Sequence, residues 1–269
     1  MSIIHPYNFI RKDEFGFGFG TGAVGRYFAP NAVNFDGVGA YLERDGNFTD
    51  IVNADTFLLS MWAKYVGSDG IWCSQFCDYG ANYCYVAKSP FNLFQTYFTS
   101  VMGGALYFYN ATSVTSSNGW IHVMISCKMS GTKILQFYLN DVSDLGSVYD
   151  SWPMGGDNIN FASAINWYVG AGVLSLNRHN GDMGELVINL GGPFIDLSDV
   201  NNRRKFISDT GQPVYLGPNG EIPFGVPPTV YLSQPNYSTD ADQFATNLGS
   251  GGGFFPSGGN TLSNTKPGL

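Results

Sequence analysis

Between Trp120 and Lys128 the chain alternates: Ile121, Val123, Ile125 and Cys127 fall on one side, His122, Met124, Ser126 and Lys128 on the other. A period of two marks a β-strand with one face buried, whereas a helix repeats every 3.6 residues. Leu135, Phe137 and Leu139 repeat the alternation, and Met129-Ser130-Gly131-Thr132 between the two runs reads as a hairpin connection. The two strands are therefore expected to be antiparallel neighbours. Further strands are expected at 39–43, 55–65, 70–77, 82–87, 92–99, 104–109, 166–171 and 183–190, with a last one near Thr229 to Leu232. So many short strands suit two packed sheets better than one open sheet.

Composition points the same way. In 269 residues, aromatics make up 16% and charged groups 13%, with 35 glycines, which favours strands and tight turns over helices. One sandwich over residues 31–232 is expected, carrying one helix near 198–208. Ser198 caps that helix, acid sits in its first turn and base toward its end, and Gly211-Gln212-Pro213 stops it. The formal charge of −8 argues against a nucleic-acid partner, and Arg203-Arg204-Lys205 is expected to be a solvated helix face. No apolar run approaches the roughly 20 residues that span a bilayer, so no membrane insertion is expected. The start, Met1-Ser2-Ile3-Ile4-His5-Pro6, lacks the sections of a signal peptide.

The two ends differ from the middle. Residues 1–30 read as an extended arm in which Phe15, Phe17 and Phe19 alternate with glycines, so that rings can fill pockets on a neighbouring subunit. Within it, Gly20-Thr21-Gly22-Ala23-Val24-Gly25 matches a dinucleotide-binding fingerprint, with Asp45 at the spacing of a ribose-binding acid. The fingerprint works only between a strand and a helix N-terminus, and Pro30 follows too soon for a helix. Residues 233–269 are rich in Gly, Ser, Asn and Thr and are expected to be a mobile tail unless a partner holds them.

Catalytic chemistry is hard to find. The only glutamates are Glu14, Glu43, Glu185 and Glu221, and Glu43-Arg44-Asp45 is the one close Glu/Asp pair of the right spacing, beside a turn glycine. His5, His122 and His179 lie in no nucleophile motif, and His122 is expected to be a structural histidine. Cys73, Cys77, Cys84 and Cys127 lack zinc spacing. Buried free thiols are the leading expectation, with a long-range disulfide to Cys84 or Cys127 as the alternative. The protein is expected to be non-enzymatic. Trp62, Trp72, Tyr83, Tyr85, Tyr107 and Tyr109 are candidate carbohydrate-binding residues, because exposed aromatic faces with a polar edge can stack on sugar rings.

Six segments in order carry a family resemblance: Asn34-Phe35-Asp36-Gly37 with Tyr41-Leu42, Phe57 to Ala63, Gly119 to Val123, Phe137 to Asn140, Trp167 to Ala171 and Gly181 to Ile188. Over residues 31–190 the chain resembles the laminin-G-like, concanavalin A-like jelly rolls. The resemblance implies an all-β, two-sheet antiparallel sandwich used mostly for binding. The stretch from Ile195 to Gly217 is similar to an extension on jelly-roll proteins of tailed bacteriophages. That implies a virion structural protein, such as a decoration, spike or tail-associated subunit, assembled in the bacterial cytoplasm as a homo-oligomer through its arms, with other virion proteins as partners. A module recognising host surface glycan is the alternative, and a polysaccharide-degrading enzyme stands third. Many relatives carry an acid where Gly184 stands, which would remove one calcium ligand. Asp36, Asp182 and Asn140 could still offer oxygens, so calcium is a possible cofactor and turn chemistry the competing explanation.

Overall fold

The computed structural model describes residues 30–80, 83–153, 156–234 and 239–268. Phe15, Phe17, Phe19 and the glycine fingerprint lie outside them. The strands are β1 (Val33–Asp36), β2 (Tyr41–Asp45), β3 (Thr56–Tyr65), β4 (Cys73–Gly80), β5 (Cys84–Lys88), β6 (Phe94–Thr99), β7 (Ala105–Asn110), β8 (Trp120–Lys128), β9 (Ile134–Leu139), β10 (Val142–Ser143), β11 (Leu145–Asp150), β12 (Ala164–Val169), β13 (Asn180–Leu190), β14 (Val230–Leu232), β15 (Phe255–Ser257) and β16 (Thr261–Leu262).

These strands form two eight-stranded antiparallel sheets. The first runs β10-β9-β8-β3-β13-β1-β16, with β14 also on β13. The second runs β11-β7-β6-β5-β4-β12-β2-β15. The hairpin expected between β8 and β9 is present, with Ile125 opposite Phe137. The main core lies between the sheets. Leu59, Met61, Ile121, Val123, Ile125 and Phe137 from one sheet meet Phe76, Val86, Phe94, Phe98, Phe108 and Trp167 from the other. Each such side chain withdrawn from water contributes on the order of 1.5–3 kcal/mol.

The first sheet is not half-exposed, as its alternation suggested. A second cluster covers its outer face, where Leu58, Trp62, Met124 and Val187 pack under Ile195, Leu197, Phe206, Ile207, Val214 and Leu216. The stretch after β13 thus folds back as a lid. Its helix is one turn, α1 (Val200–Arg203), shorter than expected, and its cap is Asp199, whose side chain accepts from the Asn201 N–H. Ser198 instead donates to Asp196. The basic cluster is not a solvated face either. Arg203 Nε and Arg204 Nη2 donate to the two oxygens of Asp141 at 2.6 and 2.7 Å, and Arg203 lies over the Tyr138 ring at 4.7 Å. The lid is thereby tied to the turn after β9.

Residues 239–268 are built into the sandwich, contrary to the expectation of a loose tail. β15 pairs with β2, β16 pairs with β1, and Phe244 and Phe254 are buried in the main core. Glycine there serves close approach more than mobility. A Cβ on Gly249 would lie 2.4 Å from the Pro228 carbonyl oxygen, and one on Gly258 would lie 2.3 Å from the Gly39 backbone. All four cysteines are free and buried.

Candidate functional site

With one sheet roofed, the outer face of the second sheet carries the uncovered chemistry. On β5, β6 and β7 the inward positions hold Cys84, Val86, Phe94, Phe98, Leu106 and Phe108. The period of two therefore turns Tyr85, Tyr97, Tyr107 and Tyr109 outward. Register then aligns them. Tyr85 is opposite Tyr97, Tyr97 opposite Tyr107, and Tyr107 opposite Tyr149 on β11. The same row continues through Cys77, Tyr168 and Glu43 to Phe255 at the far edge.

The four tyrosines form a stacked column across the strands. Successive ring centroids are 5.1, 6.2 and 4.6 Å apart, with interplanar angles of 4°, 15° and 15°. Parallel rings at 4.6 and 5.1 Å overlap face on face, since coplanar rings that close would collide. The column therefore offers ring edges and hydroxyls along its length, and a free ring face at its open end, where Tyr149 is 53% exposed. Tyr109 joins as an edge-on neighbour of Tyr107 at 6.1 Å. Gln95 locks two hydroxyls: Tyr85 OH donates to its Oε1 at 2.9 Å, and its Nε2 donates to Tyr109 OH at 2.8 Å. Burial, and then neighbouring tyrosines, push the phenols of Tyr85, Tyr97 and Tyr109 above the ordinary tyrosine value. They remain neutral donors and acceptors at physiological pH.

The candidates from sequence divide. Tyr85, Tyr107 and Tyr109 stand together in the column, and Tyr83, 39% exposed, leads into β5 beside it. Trp72 is half-exposed but precedes β4, where Cys73 pairs with Lys88, four residues along the strand from the row. Trp62 belongs elsewhere. It is 3% exposed, lies under the lid of the first sheet and stacks on His122 at 4.7 Å, so it cannot meet a sugar there. Tyr97 and Tyr149 were missed. Tyr97 shared the parity of Gln95 in an expected strand and could have been found, whereas Tyr149 sits on an edge strand whose sequence, Leu-Gly-Ser-Val-Tyr-Asp, lacks clean alternation.

The calcium candidates are not gathered into one cage. Asp36 Oδ1 accepts from the backbone N–H groups of Val38, Gly39 and Ala40 at 2.7 to 2.9 Å, which is turn chemistry and lowers its pKa. Asp182 accepts from Asn34 at 2.8 Å and Thr265 at 3.1 Å. Asn140 follows β9, three strand positions from β13 and so roughly 14 Å away, and its Oδ1 accepts from the His122 N–H. Among the described residues no group of three or more His, Cys, Asp or Glu side chains could hold a metal.

Two pairs mimic a nucleophile and its base. His122 Nε2 lies 2.9 Å from Ser60 Oγ, and His179 Nδ1 lies 3.4 Å from Cys73 Sγ. Both pairs are buried. Burial holds His122 down to about 3 and His179 down to about 4, and pushes the Cys73 thiol up to about 11. Neither pair resembles an activated nucleophile in a cleft. Glu43 and Asp45 share the Asn166 amide at 3.0 and 3.3 Å. Glu185 sits at the bulge of β13 with φ of 47°, buried, accepting from Tyr231 OH and Ser233 Oγ.

Fold and face together describe a jelly-roll sandwich of the laminin-G-like, concanavalin A-like kind. Among solved structures it is similar to a provisionally assigned carbohydrate-binding protein from Bacteroides ovatus, with a TM-score of 0.58 and 12% identity over 89% of this chain and 61% of that one. It is also similar to a heptameric SAP-like pentraxin from Limulus polyphemus, with a TM-score of 0.50 and 9% identity over 87% of this chain and 94% of that one. The LG1-3 region of the laminin α2 chain matches with a TM-score of 0.46 and 9% identity, over 60% of this chain and 31% of that one. The chain thus spans less than two thirds of the Bacteroides protein and about a third of the laminin fragment. No family model matches the chain. No curated protein matches its sequence.

Proposed function

We propose that this protein is a non-enzymatic glycan-binding module that meets its ligand on the tyrosine face of the second sheet. The observation that carries this is the column Tyr85-Tyr97-Tyr107-Tyr149, left open while the opposite face of the sandwich is roofed. Ring edges and hydroxyls along the column suit sugar hydroxyls, which need partners, and the free face of Tyr149 suits the apolar axial C–H side of a sugar ring. The carbohydrate-binding description of the Bacteroides protein supports the same choice for this fold. The buried Ser60–His122 and Cys73–His179 pairs offer no accessible catalytic constellation.

The virion setting rests on the sequence resemblance at 195–217, and recognising a host surface glycan is a task such a particle would give to this module. The described part of the tail is folded into the sandwich, so assembly through arms now depends on residues 1–29. A glycan array with the wild-type protein and with Tyr97→Ala/Tyr107→Ala tests the main proposal. Selective binding lost in the double variant is expected, and uniform background across the array would overturn it. Mass spectrometry of purified particles tests the setting.

A further inference from the structure

We infer that the ligand class is an uncharged polysaccharide chain lying across the strands along the tyrosine column. This rests on the glycan-binding proposal and narrows it. The first ground is electrostatic. The outward positions of β5, β6 and β7 hold only Tyr, Ala, Gln and Thr, with no formal charge, in a chain whose net charge is −8. Lys88, the one cation on these strands, is buried on the inward side, where its Nζ donates to the Ser68 carbonyl oxygen at 2.6 Å. At the open end Lys133 is held by Asp150 at 2.5 Å. A uronate, sialate or sulfated sugar would give up hydration here without meeting a cation, inside the field of a negative protein. A neutral sugar pays neither cost.

The second ground is shape. The column spans three strand spacings, roughly 14 Å, which exceeds one sugar ring. One end is walled: Cys77, the next position in the row, is buried beneath the turn Val173–Ser175. The other end is open at Tyr149, on the last strand of the sheet. A chain can therefore extend past Tyr149 but not past Tyr85. The phenol hydroxyls repeat at intervals along this track, and the Tyr85-Gln95-Tyr109 bonds hold the side of the column in place.

The experiment is affinity electrophoresis and calorimetry of the intact chain against neutral polymers (dextran, mannan, β-glucan, starch) and anionic ones (alginate, hyaluronan, polysialic acid). Tyr97→Ala/Tyr107→Ala and the milder Tyr97→Phe/Tyr107→Phe are run alongside, with thermal melts as folding controls. Expected is binding to at least one neutral polymer, insensitive to added salt and strengthening with oligomer length before reaching a plateau. The alanine pair should weaken it about tenfold or more, the scale of lost aromatic contacts. The phenylalanine pair keeps the stacking and should lose less. Binding of an anionic polymer that depends on Tyr97 and Tyr107 would overturn the neutral class but leave the glycan face standing. Binding to none of the panel, or binding untouched by both variants, would overturn the face itself. So would self-association that the alanine pair abolishes, because the column would then be an interface between copies of this chain.

Discussion

The rings of Tyr107 and Tyr149 stack at 4.6 Å, joining β7 to the edge strand β11 and leaving the outer face of Tyr149 to solvent. That contact sets where the column can be cut without disturbing the core. Tyr149→Ala removes the open end and nothing buried. Its stability should fall by only about 0.5–1.5 kcal/mol in urea denaturation, the scale of one lost aromatic pair. Glycan affinity should fall, and an unchanged dissociation constant would show that the open end is not used.

Trp62 predicts the opposite pattern. Truncating it to alanine empties the interface between the first sheet and its lid, where Trp62 meets His122. Loss of a buried tryptophan costs about 3–5 kcal/mol. Limited proteolysis should then cut within 195–232, while any folded fraction should keep its glycan binding.

Glu185 gives the protein an alkaline weakness. Burial pushes its carboxyl up to about 7, against hydrogen bonds from Ser233 and Tyr231 that pull it down. Between about 4.5 and 7 the folded chain keeps a proton that the unfolded chain has released. The unfolded state binds fewer protons there, so stability falls as pH rises through that window. The loss is on the order of 3 kcal/mol. Asp78, raised by burial to about 8, adds the same sign over a window that begins near the ordinary aspartate value. Glu185→Gln should flatten the pH 5–8 slope of the unfolding free energy, and an unaltered slope would locate the titration elsewhere.

The two buried histidines act in the other direction. Held down to about 3 and about 4, His122 and His179 stay neutral while the unfolded chain takes up protons near pH 6.5. Their contribution is present above that value and is lost as pH falls through and below it. NMR should show both imidazoles without titration between about pH 5 and 8. A midpoint near 6.5 for either would mean that water reaches it.

Removing residues 239–269 should be severe. The deletion takes away β15, β16 and the core rings of Phe244 and Phe254, each worth on the order of 1.5–3 kcal/mol. Near-UV circular dichroism of the truncated chain should lose its aromatic signal, and a native spectrum would show that these strands are dispensable.

Much of the fold is legible in the sequence, because period-two patterns report one face directly. Ile121, Val123, Ile125 and Cys127 face the core as expected. His122 is the structural histidine expected, but the rest of its face was misjudged, since Met124 and Ser126 look solvated by local alternation and become buried only when Ile195 and Leu197 arrive from some seventy residues away. Trp62 was lost to the same effect. The tail was misread because glycine is ambiguous: Gly249 and Gly258 permit tight backbone contact, yet composition alone equates glycine with mobility. The tyrosines were visible singly, but their alignment depends on register across four strands, and register is a long-range property.

The final strands close on the first ones: β16 completes the edge beside β1, and β15 the edge beside β2. Until residues 255–262 have left the ribosome, β1 and β2 each lack a neighbour they have in the folded molecule. Pairings between residues so far apart in sequence are slow to form. Nascent copies therefore expose two sticky ribbons until residues 255–262 are free to pair, which makes synthesis rate and chaperone supply levers on yield.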